Sequence, residues 1–359
     1  MGILRFILAI SVVIAHSSST LGSNLVGGPN AVKAFYIISG FYMTLILREK
    51  YIGINNSYIL FLSNRFLRLF PIYWTVLLLT ISLSISIMIY SNGKYFGDFS
   101  NYVVYYNNMN ISSFAFLVFT NIFLFFQDFV MFLGLDTSSG RLFFTSDFQQ
   151  THPFLYQFLF VPQAWTIGVE ITFYLIAPFL VRKKMNVIIP LIVLSLLLRY
   201  ILSKYGLKND PWSYRFFPTE LVFFLLGIIS YNIYIYIQKW NFNPLYSKFM
   251  LGFILTFTYL YNMLPIHGKF YLYFFSLFVC LPFIFSLTKK WKYDNQIGEL
   301  SYPIYISHIF LLNCIYTLKF PIIGGLGLNL IIITILFSII LNELVAKKIE
   351  VIRQNRITK

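Results

Sequence analysis

Eleven apolar runs, separated by short polar breaks, constrain this chain more than any other feature. They fall at about 3–22, 31–48, 70–90, 114–134, 160–181, 186–202, 217–237, 248–264, 269–288, 297–317 and 322–345. A helix needs about 20 apolar residues to cross a bilayer, and it satisfies its own backbone N–H and C=O groups where no water is available to do so. Composition agrees, since 11% of the 359 residues are charged and mean hydropathy is +0.74, whereas soluble domains carry about 25% charge. The expected fold class is all-α, a polytopic transmembrane helical bundle. The two cysteines, Cys280 and Cys314, stand inside apolar runs, so neither a disulfide framework nor a thiolate metal site is expected.

The net charge of +15 invites a nucleic-acid reading, but the placement of the charge argues against it. Basic residues sit in short breaks and at the C-terminus: Arg182, Lys183 and Lys184; Lys289, Lys290 and Lys292; Lys347, Lys348, Arg353, Arg356 and Lys359. That is the pattern of a positive-inside bias, so membrane lipid is the expected surroundings and nucleic acid is not a partner. Counting spans back from a cytoplasmic tail puts the breaks at 289–292, 239–248 and 182–184 inside. Counting forward puts 48–69 inside, with Arg48, Lys50, Arg65 and Arg68. The two counts collide between residues 90 and 160, where one crossing by 114–134 puts Arg182 on the wrong face. The cheapest repair makes 114–134 a re-entrant or non-spanning segment covered by protein; a further crossing near 95–113 repairs the parity equally well. The expectation is about ten spans plus that segment, both termini cytoplasmic, with a membrane domain over 1–345 and a basic cytoplasmic tail over 346–359. The first run is read as a retained helix and not a cleaved leader, because the next run follows almost at once.

Ionisable groups inside spans are costly and point to function. Arg5 and His16 lie on the first run, about 16 Å apart along a helix, with His16 expected deep in the membrane toward its outer half. Glu170 sits in an otherwise uncharged run, and Thr166, Glu170 and Tyr174 share a face at i, i+4 spacing. His308 shares a face with Ser301 and Tyr305. Each of these also has a bland reading: a neutral imidazole bonded to a neighbouring helix, or a structural ion pair. Arg65 and Arg68, at i, i+3, suit a bidentate grip on phosphate, or a topology anchor against lipid headgroups. His152 and His267 fall in loops, and no pair of histidines has metal-ligand spacing, so no metal is expected.

With these residues in view, the chain resembles acyltransferase family 3, integral-membrane O-acyltransferases of bacterial surface glycans such as O-antigen. Arg5, ten residues and His16 are similar to its opening motif, and Ile37-Ile38-Ser39-Gly40-Phe41 to its Ser-Gly-Phe motif. Arg65-x-x-Arg68 before Pro71, the block from Trp165 to Glu170, and Ser301-Tyr302 with Tyr305 and His308 match three more motifs in order. There are departures: Thr166 replaces a usual serine, Asn64 a frequent arginine, and Lys33 stands where an acidic residue is common.

The resemblance implies O-acylation of a polysaccharide or lipid-linked saccharide at the bacterial inner membrane, with acetyl-CoA as acyl donor. It implies a donor grip by Arg5, Arg65 and Arg68. His16 is then general base or transient acyl carrier, with Glu170 orienting it. Ser39, Ser301, Tyr305 and His308 complete the polar site, with Tyr305 or Ser39 as oxyanion donor. The competing class is a transporter or flippase of lipid-linked sugars, which predicts inverted internal symmetry; none is visible. Oligomeric state and the acceptor sugar are not legible in the sequence.

Overall fold

In this computed structural model, residues 1–17, 22–51, 58–240 and 243–356 are described, and most of the apolar runs form helices between two opposite faces. The order begins with α1 (Gly2–Ala15), α2 (Gly28–Glu49) and α3 (Tyr58–Tyr90). An insertion follows, with α4 (Ser100–Tyr105), α5 (Ile111–Phe123) and an antiparallel hairpin of β1 (Leu133–Asp136) and β2 (Arg141–Phe144). Then come α6 (Trp165–Leu180), α7 (Met185–Lys204), α8 (Phe217–Ile237), α9 (Pro244–Leu260) and α10 (Lys269–Thr288). The chain closes with α11 (Lys292–Glu299), α12 (Ser301–Leu318), α13 (Leu326–Leu341), a π turn at Asn342–Ala346, and α14 (Lys347–Asn355).

The core is built around α2, which packs most extensively on α8. Gly40 and Gly227 permit this crossing: a Cβ on Gly40 stands 2.0 Å from the Phe224 carbonyl oxygen, and one on Gly227 stands 2.1 Å from that of Ile37. Small residues that let helix backbones touch are the usual device for association in lipid. By contrast α7 buries little and exposes Ile189, Val193, Leu194 and Leu197, as a lipid-facing helix does.

One face is basic. There Arg48 donates to the Val181 carbonyl (2.9 Å), and Asp294 accepts from the backbone amides of Gly2 and Ile3 (2.7 and 2.9 Å). Arg353 donates to the Asn64 carbonyl and Arg356 to Ser63 Oγ, both at 2.9 Å. The residues read as a basic tail therefore include a helix docked on the start of α3. At the far face, Ser23 bonds the Tyr259 carbonyl and Trp212 that of Ser146, both at 2.8 Å.

Among the described residues, seven helices are long and apolar enough to cross a membrane: Gly28–Glu49, Tyr58–Tyr90, Pro162–Leu180, Met185–Lys204, Phe217–Ile237, Lys269–Thr288 and Leu326–Asn355. The expected count of about ten is thus only partly met. α1 and α9 have 14 and 17 residues, and α12, at 18 residues, carries too many polar groups. The run 3–22 also proves shorter than expected; α1 stops at Ala15, and residues 18–21 lie outside the described residues, as do 52–57, 241–242 and Lys359.

The run 114–134 does not form one helix. α5 has 13 residues, about 20 Å of rise, less than the roughly 30 Å of a hydrocarbon core. It ends beside α3, where Tyr73 bonds the Asn121 carbonyl and Trp74 that of Ile122, and Leu124 at φ 60° turns the chain back. Asn121 then ties this turn to the segment leading into α6, donating to the Phe158 carbonyl (3.0 Å) and accepting from the Phe160 amide (2.8 Å). Polar satisfaction of this kind is what irregular backbone needs at membrane depth. The hairpin that follows departs from the all-α expectation, because 133–144 carries a tight turn in which Asp136 accepts from Ser138 and Ser139.

Candidate functional site

A polar cavity of about 390 Å³ opens among α1, α2, α3, α6, α11 and α12. Toward the basic face it is lined by Arg5, Arg65, Arg68 and Glu299, and in its middle by Ser39, Tyr42, Glu170 and Tyr174. Its inner end meets Val32, Tyr36, Thr166 and Tyr305. The shared face of Thr166, Glu170 and Tyr174 does turn inward, since all three line the cavity.

The arginines are set differently from a helix-end pair on a loop. α3 begins at Tyr58, so Arg65 lies two turns inside it, 5% exposed, with its Nε unpartnered among the described residues. Arg68, one turn further on, is exposed. Arg5 donates to Ser301 Oγ at 2.8 Å, Ser301 in turn donates to the Gly298 carbonyl at 2.7 Å, and the Arg5 guanidinium lies 5.8 Å from the Tyr42 ring. Three guanidinium groups thus converge on a cavity whose acids, among the described residues, are Glu170 and Glu299.

Glu170 takes two hydroxyl donors on one oxygen, from Ser39 at 2.6 Å and Tyr174 at 2.5 Å. This explains the serine of the Ile-Ser-Gly-Phe run: Ser39 faces the carboxylate while Gly40 faces α8. The expected partnership of Glu170 with His16 is absent from the described contacts. The ring beside His16 is that of His308, with centroids 5.1 Å apart and planes tilted by 42°. His16 itself is an exposed residue just past the end of α1.

His308 is fully buried, with Nδ1 2.7 Å from the Tyr305 carbonyl oxygen. A carbonyl only accepts, so Nδ1 carries the proton and Nε2 presents a lone pair. That Nε2 has no partner among the described residues. The Tyr305 side chain points back to the cavity; its hydroxyl donates to the Gln163 carbonyl and accepts from Thr166, both at 2.7 Å. Tyr305 therefore joins two groups: the arginine–glutamate cavity on one side and the paired imidazoles on the other.

Several lining residues were not singled out from sequence. Tyr36 and Tyr42 flank Ser39 at i−3 and i+3, so helical spacing marks them, but among 27 tyrosines nothing else does. Outside the lining, Gln163, which bonds the Ile306 carbonyl at 2.6 Å and takes the Tyr305 hydroxyl on its own carbonyl, carries no sequence signal.

Helices sealed by apolar side chains around an arginine-mouthed cavity, with a buried imidazole beside an exposed one, define a multi-pass membrane protein with an internal polar site. The chain belongs to acyltransferase family 3: residues 1–343 match its acyltransferase domain. It is thus a membrane acyltransferase. An uncharacterized protein of Aquifex aeolicus (strain VF5) is 28% identical over 208 residues, which cover 54% of this chain and 90% of that protein. No solved structure matches.

Proposed function

We propose that this acyltransferase takes an acyl group from acyl-CoA, in the first instance acetyl-CoA, at the basic face and passes it to a saccharide hydroxyl at the far face. The basic face is then cytoplasmic, with both chain ends on it, and the membrane is the bacterial inner membrane. The reading rests on one observation: polar groups continue from Arg68 through the cavity to Tyr305, then through His308 to the exposed His16.

At the cytoplasmic mouth, Arg5, Arg65 and Arg68 hold the CoA phosphates through charge-assisted bonds. The slender pantetheine arm passes Tyr42 and Ser39 toward Tyr305. The acceptor hydroxyl attacks the thioester carbonyl; a C–O bond forms, the C–S bond breaks, and the hydroxyl proton passes by way of imidazole to the departing CoA sulfur. His16 is the base nearest the acceptor. His308, its tautomer held by Tyr305, orients His16, the role first assigned to Glu170. Glu170 instead balances the arginines, and the Thr166–Tyr305 hydroxyl pair borders the place where oxyanion charge develops.

The test is acceptor-dependent CoA release by purified protein given acetyl-CoA and surface glycan. His16→Ala is expected to lower the rate by about 100-fold or more while leaving insertion intact. Normal transfer by a well-expressed His16→Ala protein removes this mechanism, and passage of lipid-linked sugar without CoA release makes the protein a transporter.

A further inference from the structure

A second charged cluster lies beside the inner end of the cavity, and the transfer scheme leaves it unused. Lys33 on α2 is 5% exposed, yet its ammonium makes no hydrogen bond or ion pair among the described residues; it stands 4.6 Å from the ring centroid of Tyr214. Arg215 approaches the same ring at 5.7 Å and stacks over Trp165 at 4.1 Å, while Trp165 and Tyr214 lie 4.6 Å apart. Two cations thus border one aromatic pair.

Of the nearby acids, Asp210 is fully engaged and Glu220 only half so. Asp210 takes Arg215 Nε and Nη2 at 2.8 and 3.1 Å, leaving Arg215 Nη1 buried without a partner among the described residues. Glu220 accepts from Arg199 at 2.6 Å, and its second oxygen is unpartnered among the described residues. Asp128 is the remaining carboxyl facing Arg215. Glu220 is the carboxylate whose charge acts on Lys33, but no ion pair joins the two; a desolvated ammonium without a bonded anion is expensive to hold, and an anion bound there offsets that cost.

The cluster also adjoins the reaction path. Val32 and Tyr36, on either side of Lys33 along α2, line the cavity, as does Thr166 beside Trp165. We propose that Lys33 and Arg215, with the Tyr214 and Trp165 rings as walls, form an anion-binding subsite for the acceptor, which is therefore an acidic saccharide carrying a carboxylate or phosphate. The cations take the oxyanion, and the two rings on which they lie hold them in place. The assignment of this subsite to an acceptor rests on the transfer reading above.

The experiment uses the purified full-length chain and three probes: a glucuronate-containing disaccharide, a phosphorylated disaccharide and their neutral glucose counterpart. Binding is measured without donor, and KM values by CoA release from acetyl-CoA. An acidic probe is expected to bind about tenfold or more tightly than the neutral one; which acid does so separates carboxylate from phosphate. Lys33→Gln is expected to erase that preference with KM for acetyl-CoA unchanged, and Lys33→Arg to restore it. Equal binding of acidic and neutral probes by the wild type overturns the proposal. So does a Lys33→Gln protein that melts lower but keeps the preference, because Lys33 is then a counter-ion for Glu220. If the acidic preference holds and no CoA is released, the transfer reading fails and the anion subsite stands.

Discussion

His16 and His308 come from opposite ends of the chain, and their imidazole rings meet with centroids 5.1 Å apart. One ring is exposed at the end of α1; the other is fully buried, with its tautomer set by the Tyr305 carbonyl.

This pairing makes His308 a positioning residue for His16. His308→Gln is expected to lower transfer by about 100-fold and to shift the pH–rate profile, because the imidazole beside His16 is lost. Rates and pH profiles of CoA release measure this. A His308→Gln enzyme with wild-type kcat and pH profile leaves the pairing as packing alone.

The guanidinium cluster predicts a split between donors. Arg65→Gln and Arg68→Gln are each expected to raise KM for acetyl-CoA about tenfold, since a charge-assisted hydrogen bond contributes about 1.5–3 kcal/mol. Acetyl-pantetheine, which lacks the adenosine phosphates, should lose nothing. An equal loss with both donors places the phosphates elsewhere.

The α2–α8 crossing predicts a steric cost. Gly40→Val puts a side chain 2.0 Å from the Phe224 carbonyl oxygen, and no flexible neighbour is there to yield. A loss of about 3 kcal/mol or more is expected, read as a lower thermal midpoint in detergent. Because Ser39 adjoins Gly40 and holds Glu170, activity should fall with it. An unchanged midpoint means the helices part easily.

Asp128, in the insertion and against Gly168, carries a pH signature. Burial pushes its carboxyl up to about 6, from an unfolded value near 4. Between those values the folded protein binds more protons than the unfolded one. Stability is therefore full at low pH and declines as pH rises toward 6 and beyond. Asp128→Asn lacks this dependence, so its midpoint should rise relative to wild type between pH 4.5 and 7.5. A difference that does not vary with pH contradicts the assignment.

The membrane class, the helices and the arginines, Glu170 and several hydroxyl groups of the cavity were legible in the sequence, because each depends on local pattern. Apolar run length and basic breaks mark spans, while i, i+4 spacing puts Thr166, Glu170 and Tyr174 on one face. The parity conflict around 114–134 was legible too, since charge placement and span count have to agree. The hairpin within the insertion was not, nor was the depth of Arg65, because helix starts in polar stretches carry weak signals.

Partner choice was decided only by tertiary structure. A lone carboxylate and a lone imidazole in apolar runs attract each other on paper. In the fold, Gly40 and Gly227 bring α2 against α8, Ser39 turns to Glu170, and α12 brings His308 beside His16. Burial cost is a property of each residue and can be read from its neighbours in the chain. Which polar group offsets that cost depends on how distant helices pack, and local sequence pattern does not encode it.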